Sequence, residues 1–585
     1  MDPKFWHKTV IVLSLLFFAQ ILGPFVKEGL FLGHDSQLHL IYLKKVEETI
    51  RAGQIPVRWI DWFVPGNNQP LFNFYQPGIH YLFVAPRLMG IPNSTALEIT
   101  VVFVWYLSAL LMFLFAKRHF GTLSGILAAY FYLIAPYHIL DIFIRAALPE
   151  FTALAFAPGI FWATKAYFDT GRGLYLTLLS FFIALTTISH PPTIIMFSPL
   201  IIAYLGYLLY LKRNLSFAIS LILSMIVGFG LISFFIIPAF FEQKYVQTIF
   251  MKSGYYDFHH HFVCLEQLFK PYWAHGTSQT GCEDKISFQL GIIHWLALGL
   301  IIFIISIRFF GKKQTSALID LTNLTKKDYA LLAMTLTLLT LYVYMTLPAS
   351  QTLWENLPYV PFIQYPWRFL APITFIASFV SGSILLIFKK PYIKLTAFAV
   401  LILAASLAYA SYLKPIGYAT NEAEINFGNE ILHESVTGIK NLYPEPGFMP
   451  VWTQILPPED DRPKSEVRVA TDSARVQNYR LAAHRKEYEI EVTEPTIARF
   501  YTHYFPGWKI TLDGRQVQPN YDNIYGFMDV AMPAGNHKVT LTFEDTPIRT
   551  FANLATVNFT VVAVAMAFLF GRHKEDKNTR RTTSG

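Results

Sequence analysis

The sequence ALEITVVFVWYLSALLMFLFA, at residues 96–116, contains a single charged side chain, Glu98. A helix of about 20 largely apolar residues is long enough to cross the hydrocarbon core of a bilayer. Similar apolar runs recur along most of the chain, which predicts about 12 membrane-spanning helices. The runs lie near 9–27, 96–116, 121–138, 150–167, 173–189, 193–211, 216–238, 288–307, 328–348, 369–388, 394–413 and 550–570.

The amino-acid composition also indicates a membrane protein. Of the 585 residues, 53% are hydrophobic and only 15% are charged, whereas soluble domains carry about 25% charged residues. The net charge of +8 does not indicate a nucleic-acid partner. Its Lys and Arg residues form short clusters between apolar runs, where membrane topology places them. We therefore expect the lipid bilayer to surround much of the protein.

The positions of Lys and Arg predict which helix ends face the cytoplasm. With Lys4 and Lys8 inside, every second loop contains a basic cluster, as the positive-inside rule requires. The last cluster is the basic tail, 571–585. We expect a multi-pass protein of the cell (inner or plasma) membrane with both termini in the cytoplasm. The first run is interpreted as a retained helix, since no small-x-small cleavage site follows it.

Four longer segments fall on the extracytoplasmic side, and the last one has a different composition. The segments are 28–95, 239–287, 349–368 and 414–549. Residues 465–548 alternate apolar and polar side chains as strands do, and Asp513-Gly514 is a hairpin-turn signal. The predicted domains are a transmembrane domain, 1–413, with a large first outer loop, 28–95; an outer domain, 414–549, with a small β-sandwich mainly within 465–548; and a last transmembrane helix, 550–570.

The first outer loop begins with GHDSQLHL at residues 33–40, which places His34, Asp35 and His39 where the first helix meets water. Ionisable groups at membrane depth are costly and usually serve a function. Asp35 and His39 are four residues apart, so a helix would put them on one face, as metal ligands or as a carboxylate oriented by a histidine. The alternative is a solvated acid that caps a helix.

A second group of charges lies around IRAALPEF, residues 144–151. Arg145 is close in sequence to Asp141 and Glu150. Arginine suits a lipid phosphate because it is permanently charged and binds in a bidentate manner. The other interpretation is an Arg–Glu ion pair that caps two helix ends.

Three more features are predicted on the outer face. His190, in ISHPPT, is either a hydrogen-bonding group at a helix end or a ligand. Trp367 and Arg368 stand at a helix start in QYPWRFL, residues 364–370, a string more specific than an interfacial aromatic belt requires. Cys264 and Cys282 share an outer segment, away from the reducing cytosol, so a disulfide between them is plausible.

The strings GHDSQLHL, FNFYQPG (72–78), IRAALPEF and QYPWRFL together resemble a family of bacterial and archaeal membrane proteins. That family is described as 6-pyruvoyl-tetrahydropterin synthase-related and belongs with the GT-C glycosyltransferase superfamily. The C-terminal YFPGWKITLDGRQV, residues 504–517, resembles the β-domain of YfhO-type members of that superfamily. The resemblance covers most of the chain, and its pterin-synthase label does not describe its chemistry.

The resemblance implies a GT-C-like fold and transfer of a sugar from a polyprenyl-phosphate carrier to an extracytoplasmic glycan, lipid or protein. Asp35 matches the catalytic carboxylate of the superfamily and would act as general base in an inverting displacement. The second acidic position falls to Glu150 or Asp141. Many members have two adjacent acids in the first loop, whereas Asp35 lies between His34 and Ser36. The cofactor is therefore left open, with a divalent metal ion as the candidate.

Under this interpretation the other site residues fall into three groups. The donor phosphate is bound by Arg145 and Arg368. The substrate site is lined by Trp367, His190 and Tyr75. A divalent ion, if one is bound, has Asp35, His39 and Glu150 as ligands, with His34 beside them.

Two functions of other classes are kept as alternatives. One is a transporter or flippase for a lipid-linked glycan, although transporters place charges near the bilayer midplane and often show paired halves. The other is a non-catalytic scaffold whose outer domain binds a partner. In that domain four aromatic side chains either stack on sugar rings or belong to the core, namely Tyr501, Tyr504, Trp508 and Tyr525.

Overall fold

The computed structural model of the protein describes residues 18–27, 29–61, 68–310, 324–419, 446–455, 467–469 and 473–571. Residues 9–17 of the predicted first run, 9–27, and nearly all of the basic tail, 571–585, lie outside these residues. The stretch 420–445 of the outer domain lies outside them as well.

Helices make up most of the described chain. They are α1 Ser36–Arg51, α2 Leu71–Phe74, α3 Gly78–Leu88, α4 Asn93–Phe120, α5 Thr122–Leu133, α6 Pro136–Phe143, α7 Leu148–Thr170, α8 Leu174–Ser189, α9 Pro191–Lys212, α10 Leu215–Gly230, α11 Ser233–Phe241, α12 Ile292–Phe310, α13 Lys326–Thr346, α14 Gln351–Asn356, α15 Leu370–Gly382, α16 Pro391–Tyr409 and α17 Pro547–Gly571. Short 3₁₀ turns, Pro366–Phe369 and Ser383–Ile387, extend α15 at its two ends.

The helices make this a multi-pass membrane protein. Within the described residues, six helical spans are long and apolar enough to cross a bilayer, and the bent pairs α5–α6 and α10–α11 bring the number to as many as eight. From residue 93 onward, each predicted apolar run overlaps a helix. The count of about 12 spans is not confirmed. One reason is length, because α8 has 16 residues and covers only about 24 Å at 1.5 Å per residue.

Basic residues gather at one end of the helix bundle. At the C-terminal end of α4, Arg118 lies 3.3 Å from Asp169, which is near the C-terminal end of α7. Tyr207 of α9 donates to the carbonyl of Lys327 at the start of α13, over 3.1 Å. The segments predicted to be outside the membrane and the β-sheet domain lie at the opposite end of the bundle.

Strands form a small antiparallel pair, which joins residues near the start of the chain to residues that follow α16, and a C-terminal β-sheet domain. They are β1 Leu30–Leu32, β2 Gly417–Ala419, β3 Val467–Val469, β4 Ala474–Ala482, β5 Arg485–Val492, β6 Thr496–His503, β7 Trp508–Leu512, β8 Arg515–Val517, β9 Phe527–Met532 and β10 Gly535–Phe543. The domain has an antiparallel five-stranded sheet, in the order β4-β5-β10-β7-β8, and a three-stranded sheet, β3-β6-β9. Alternate residues of both sheets share one buried core.

Two aromatic residues of the domain belong to that core region and not to a sugar-binding surface. Tyr501 and Trp508 each keep only 6% of their surface exposed. Tyr504 and Tyr525 are partly exposed. Strand alternation explains the burial of Trp508, because β7 turns Trp508 and Ile510 toward the core.

The first outer loop supplies part of the core of the β-sheet domain. Trp59 is fully buried, and its ring centroid lies 5.2 Å from those of Trp508 and Phe543. Nearby, the Asn68 amide donates to the carbonyl of Tyr501 over 2.8 Å and accepts from the backbone N–H of His503 over 2.9 Å. The domain is therefore built onto this loop.

A buried polar network ties the same regions to the last transmembrane helix. The carboxylate of Glu242, just after α11, accepts from Arg549 over 2.9 Å, from Asn73 over 2.7 Å and from Thr546 over 2.8 Å. Arg58 of the first outer loop pairs with Asp545 at 3.1 Å. Buried charges persist only when they are paired and hydrogen-bonded, so these contacts fix how α17 meets the outer loop.

Replacing Trp59 by Ala should destabilise the β-sheet domain by about 3 kcal/mol or more, because a large buried ring leaves a cavity in its core. The measurement is thermal unfolding of the purified protein, together with limited proteolysis of the domain. Trp59→Phe, which keeps most of the buried volume, is the control and should lose much less stability. An Ala variant as stable and as protease-resistant as the wild type contradicts the insertion of this loop into the domain.

Candidate active site

A cavity of about 500 Å³ lies at the end of the helix bundle that carries the β-sheet domain. Its walls come from the first outer loop, the α6–α7 turn, the start of α9, the outer segment after α11 and the segment before α15. Most of the predicted site residues line it, namely His34, Asp35, Tyr75, Arg145, His190, Trp367 and Arg368. Its volume is in the range of small-molecule sites.

Backbone hydrogen bonds hold Asp35 against the α6–α7 turn. The N–H of Asp35 donates to the carbonyl of Arg145 over 3.0 Å, and the N–H of His34 donates to the carbonyl of Ile144 over 2.8 Å. Gly33 makes this approach possible, because a Cβ there would lie 2.9 Å from the Cβ of Ala146. The two loops are far apart in sequence, yet their backbones bring Asp35 and Arg145 to one place.

The Asp35 carboxylate is directed to the cavity and not to the helix that follows it. Asp35 stands at the N-cap of α1, but its side chain makes no capping hydrogen bond. It is exposed to the cavity, and among the described residues it has no hydrogen-bond or ion-pair partner. Desolvation by the protein that surrounds the cavity raises the pKa of Asp35, while Arg145, His34 and Arg368 oppose that rise.

Glu150 joins the two arginines of the cavity wall. Its Oε2 accepts from Arg145 over 3.0 Å and from Arg368 over 3.1 Å, and its Oε1 accepts from the Tyr137 hydroxyl over 2.6 Å. Glu150 is almost fully buried and does not line the cavity. Because both oxygens of Glu150 already accept hydrogen bonds from the protein, we interpret this carboxylate as a group that positions the two arginines.

Asp141 is the other acid of this group. It is fully buried and accepts a hydrogen bond from Arg145, while its second oxygen has no partner. Like Glu150, it lies behind the cavity wall and does not form its surface. Of the three acids, only Asp35 faces the cavity.

Each of the two guanidinium groups lies over an aromatic ring. The guanidinium carbon of Arg145 lies 4.4 Å from the centroid of the Trp367 ring, and that of Arg368 lies 4.7 Å from the Tyr365 ring. The rings of Tyr365 and Trp367 stack on each other at 4.8 Å. Arg368 also donates to the Gln364 side chain over 3.1 Å. QYPWRFL thus forms one compact part of the wall.

Three other predicted residues occupy distinct places on the wall. His190 hydrogen-bonds through Nδ1 to the Thr193 hydroxyl over 2.8 Å, and it lines the cavity. Nε2 of His34 lies 2.8 Å from the carbonyl oxygen of His275. Tyr75 faces the cavity from the segment before α3. The chemical roles of these residues stay predictions.

His39 does not join this group. It is 2% exposed and packs in the interior against Tyr42 and His80, with ring centroids 6.3 Å and 5.8 Å away. The expected common face with Asp35 requires helical backbone at both residues, and Asp35 precedes α1 with φ −100° and ψ 8°. Within the described ranges, no three His, Cys, Asp or Glu side chains lie together as a metal-binding group. The expected ligand set of Asp35, His39 and Glu150 is therefore not assembled.

Sequence reasoning predicted a disulfide in the outer segment after α11 but no site residue other than its cysteines. Tyr255, Tyr256 and Ser278 of this segment line the cavity. Its two cysteines are joined by a disulfide, Cys264–Cys282, which closes the part of the segment that contains Ser278. The paired tyrosines, at residues 255 and 256, were the available signal, since aromatic side chains are frequent in ligand pockets.

Replacing Glu150 by Gln should lower the free energy of unfolding by about 3 kcal/mol or more, because the guanidiniums of Arg145 and Arg368 lose the buried anion that they share. Thermal unfolding of the purified protein measures the loss. Glu98→Gln on α4 is the control, since Glu98 has no hydrogen-bond or ion-pair partner among the described residues. Equal stability of both variants and the wild type would show that Glu150 does not hold the arginines.

Comparison with solved structures finds matches of low similarity. An oligosaccharyltransferase from Archaeoglobus fulgidus, in its apo form, is 12% identical with a TM-score of 0.42, and the match covers 76% of this chain and 59% of that one. An arabinofuranosyltransferase from Mycobacteria is 16% identical with a TM-score of 0.41, covering 75% and 29%. The archaeal oligosaccharyltransferase in complex with an inhibitory peptide and a dolichol-phosphate is 14% identical with a TM-score of 0.36, covering 76% and 61%. The chain thus matches less than two thirds of the length of these proteins.

Sequence comparison identifies the family of the chain. No curated protein matches it in sequence. The family model described as 6-pyruvoyl-tetrahydropterin synthase related domain, membrane protein, matches residues 72–414, which is more than half of the chain. This range includes Arg145, Glu150 and the QYPWRFL string, and it excludes Asp35 and the β-sheet domain. The chain belongs to the 6-pyruvoyl-tetrahydropterin synthase-related family of membrane proteins.

Proposed function

We propose that the protein is an inverting membrane glycosyltransferase that transfers a sugar from a polyprenyl-phosphate carrier to an extracytoplasmic acceptor. The observation that carries the proposal is the composition of one cavity wall. The carboxylate of Asp35, which has no hydrogen-bond or ion-pair partner among the described residues, faces the same space as the guanidiniums of Arg145 and Arg368. Transfer of a phosphate-linked sugar needs both kinds of group, a base that accepts the proton of the acceptor hydroxyl and cations that bind the leaving phosphate.

Asp35 is the general base of the proposed reaction. Its carboxylate has no competing partner among the described residues, and its raised pKa makes it a stronger base than an ordinary surface aspartate. A positioned base of this kind is typically worth ~10²–10⁴-fold in rate. Backbone hydrogen bonds to the α6–α7 turn fix its location next to the arginines.

Arg145 and Arg368 bind the phosphate of the donor. A guanidinium binds phosphate with two parallel hydrogen bonds and stays charged at all relevant pH values. Glu150 and the stacked rings of Tyr365 and Trp367 restrict both arginines. Their charge is therefore in place before the leaving group develops its own.

The reaction is a single displacement at the anomeric carbon of the donor sugar. The acceptor hydroxyl oxygen forms a bond to that carbon while the carbon–oxygen bond to the carrier phosphate breaks. The phosphate keeps the electron pair of the broken bond, and Asp35 takes the hydroxyl proton. One displacement inverts the anomeric centre, in contrast with the two-step retaining glycosidases.

The wall formed by α9 favours a lipid-linked donor over a soluble one. Pro191, Pro192 and Ile195 line the cavity, and Ile195 is exposed on a helix of membrane-spanning length. An apolar carrier chain can lie against this helix in the bilayer while its phosphate reaches the arginines. The proposed orientation, with the cavity on the extracytoplasmic side and both termini in the cytoplasm, follows from the basic clusters at the opposite helix ends.

Replacing Asp35 by Asn should reduce turnover by about 10²-fold or more, because the amide cannot take the acceptor proton. The measurement is sugar transfer by the purified protein from a panel of polyprenyl-phosphate sugars. Glu283→Gln, an exposed acid of the outer segment, is the matched control and should keep full activity.

The same assay separates the proposed enzyme from its two alternatives. A flippase would move the carrier lipid across a liposome membrane without cleaving it. A scaffold would show neither activity and would tolerate Asp35→Asn. Transfer at wild-type rates by a folded Asp35→Asn variant would rule out the proposed mechanism.

The pH profile of transfer should show an acid limb that belongs to Asp35. Only the ionised carboxylate accepts a proton, so turnover falls as the pH falls through the pKa of Asp35. Because desolvation by the surrounding protein raises that pKa, the limb should lie above the ordinary value of about 3.9. The measurement is kcat/KM across the acid range, and a limb at or below that value contradicts the desolvated environment of the base.

A further inference from the structure

Four partly exposed aromatic side chains meet beside the β-sheet domain. Tyr504 and Tyr521 stack with ring centroids 3.7 Å apart and planes 3° apart. Trp452 stands edge-on to both, at 5.0 Å and 5.8 Å, and stacks on Tyr245 at 5.9 Å. We call these four residues the aromatic platform; each is partly exposed.

The backbone around the platform is tightly held. The N–H of Val451 donates to the carbonyl of Tyr245 over 3.0 Å, and the N–H of Gln454 donates to the carbonyl of Ile524 over 2.9 Å. Gly526 has φ +65°, and a Cβ at this position would lie 2.9 Å from the Trp452 backbone. The rings are thus presented by a preformed surface, which lowers the entropy lost when a ligand binds.

The platform lies a short length of chain away from the cavity of the proposed active site. Phe448 lines that cavity and stacks on Phe74 at 6.2 Å. Trp452 follows Phe448 by four residues, a stretch that spans at most about 14 Å even when fully extended. A molecule that reacts in the cavity can therefore reach the platform with only a few more units of its own length.

The chemistry of the platform suits a carbohydrate. Sugar rings have an apolar C–H face that packs on Tyr and Trp, which offer large, rigid contact areas with polar ends. Asp522, next to Tyr521, is exposed and offers a carboxylate to sugar hydroxyls. By contrast, the aromatic residues of the domain core, such as Trp508 and Phe543, are buried.

We propose that the aromatic platform of Tyr245, Trp452, Tyr504 and Tyr521 binds sugar units of the acceptor, which is therefore an oligosaccharide. This inference rests on the proposed transferase function and names its acceptor class. The end of the acceptor enters the cavity near Asp35, and units farther along the chain lie on the platform. Extension of an existing glycan is the reaction that such an arrangement favours.

The first test is binding of a glycan array, with oligosaccharides of three to six units, to the full-length protein in nanodiscs. The dissociation constant of the strongest ligand is then measured for each variant. Tyr521→Ala should weaken binding about five- to tenfold, as loss of an aromatic contact does, while Tyr521→Phe should keep it. Tyr479→Ala is the control, since Tyr479 is 63% exposed on strand β4, outside the platform.

Three outcomes of the binding tests overturn the platform assignment. The first is an array without any ligand, and the second is binding that Tyr521→Ala and Trp452→Phe leave unchanged. The third is binding of a peptide library at the platform, in place of glycans. Loss of binding in Tyr521→Ala with wild-type thermal stability supports it.

Transfer kinetics test the platform assignment and the proposed transferase function independently of each other. With a tetrasaccharide acceptor, Tyr521→Ala should raise KM about five- to tenfold and leave kcat nearly unchanged, whereas a monosaccharide acceptor should show no difference. Transfer without this dependence on acceptor length overturns the platform and leaves the transferase standing. Platform-dependent glycan binding without transfer from any donor overturns the proposed function and leaves the binding site standing.

Discussion

The arrangement of the candidate site depends on one buried carboxylate. Glu150, in the first turn of α7, cannot stay charged among apolar helices unless cations and donors surround it. Arg145 and Arg368 meet this need from two sides, and Tyr137 meets it from a third. The need to pair this charge therefore joins α7, the α6–α7 turn and the start of α15 at one point. The arginines that result form a cavity wall.

The same point also locates the proposed base. The backbone of Arg145, whose side chain pairs with Glu150, accepts the hydrogen bond from the N–H of Asp35. Gly33 lets the first outer loop come close enough for this contact. Farther along, that loop buries Trp59 in the β-sheet domain and pairs Asn68 with β6. Membrane helices, first loop and outer domain thus form one connected unit around the cavity.

Sequence patterns predicted the parts of this site that depend on local chemistry. Asp35, Arg145 and Arg368 were predicted as site residues because an ionisable group at the end of an apolar helix is costly and usually serves a function. The structure brings all three to one cavity. His39 was misplaced because the rule for residues four apart holds only inside a helix, and Asp35 precedes α1. Tyr255 and Trp59 could not be assigned, because their neighbours come from distant segments of the chain and periodicity describes only local geometry.

A cryo-EM structure of the protein with a polyprenyl phosphate bound tests the central claim most directly. The account predicts the phosphate within hydrogen-bonding distance of Arg145 and Arg368, the lipid chain against α9, and the Asp35 carboxylate facing the side where the sugar would be attached. A phosphate bound elsewhere on the protein, with the two arginines still engaged only by Glu150, would contradict it.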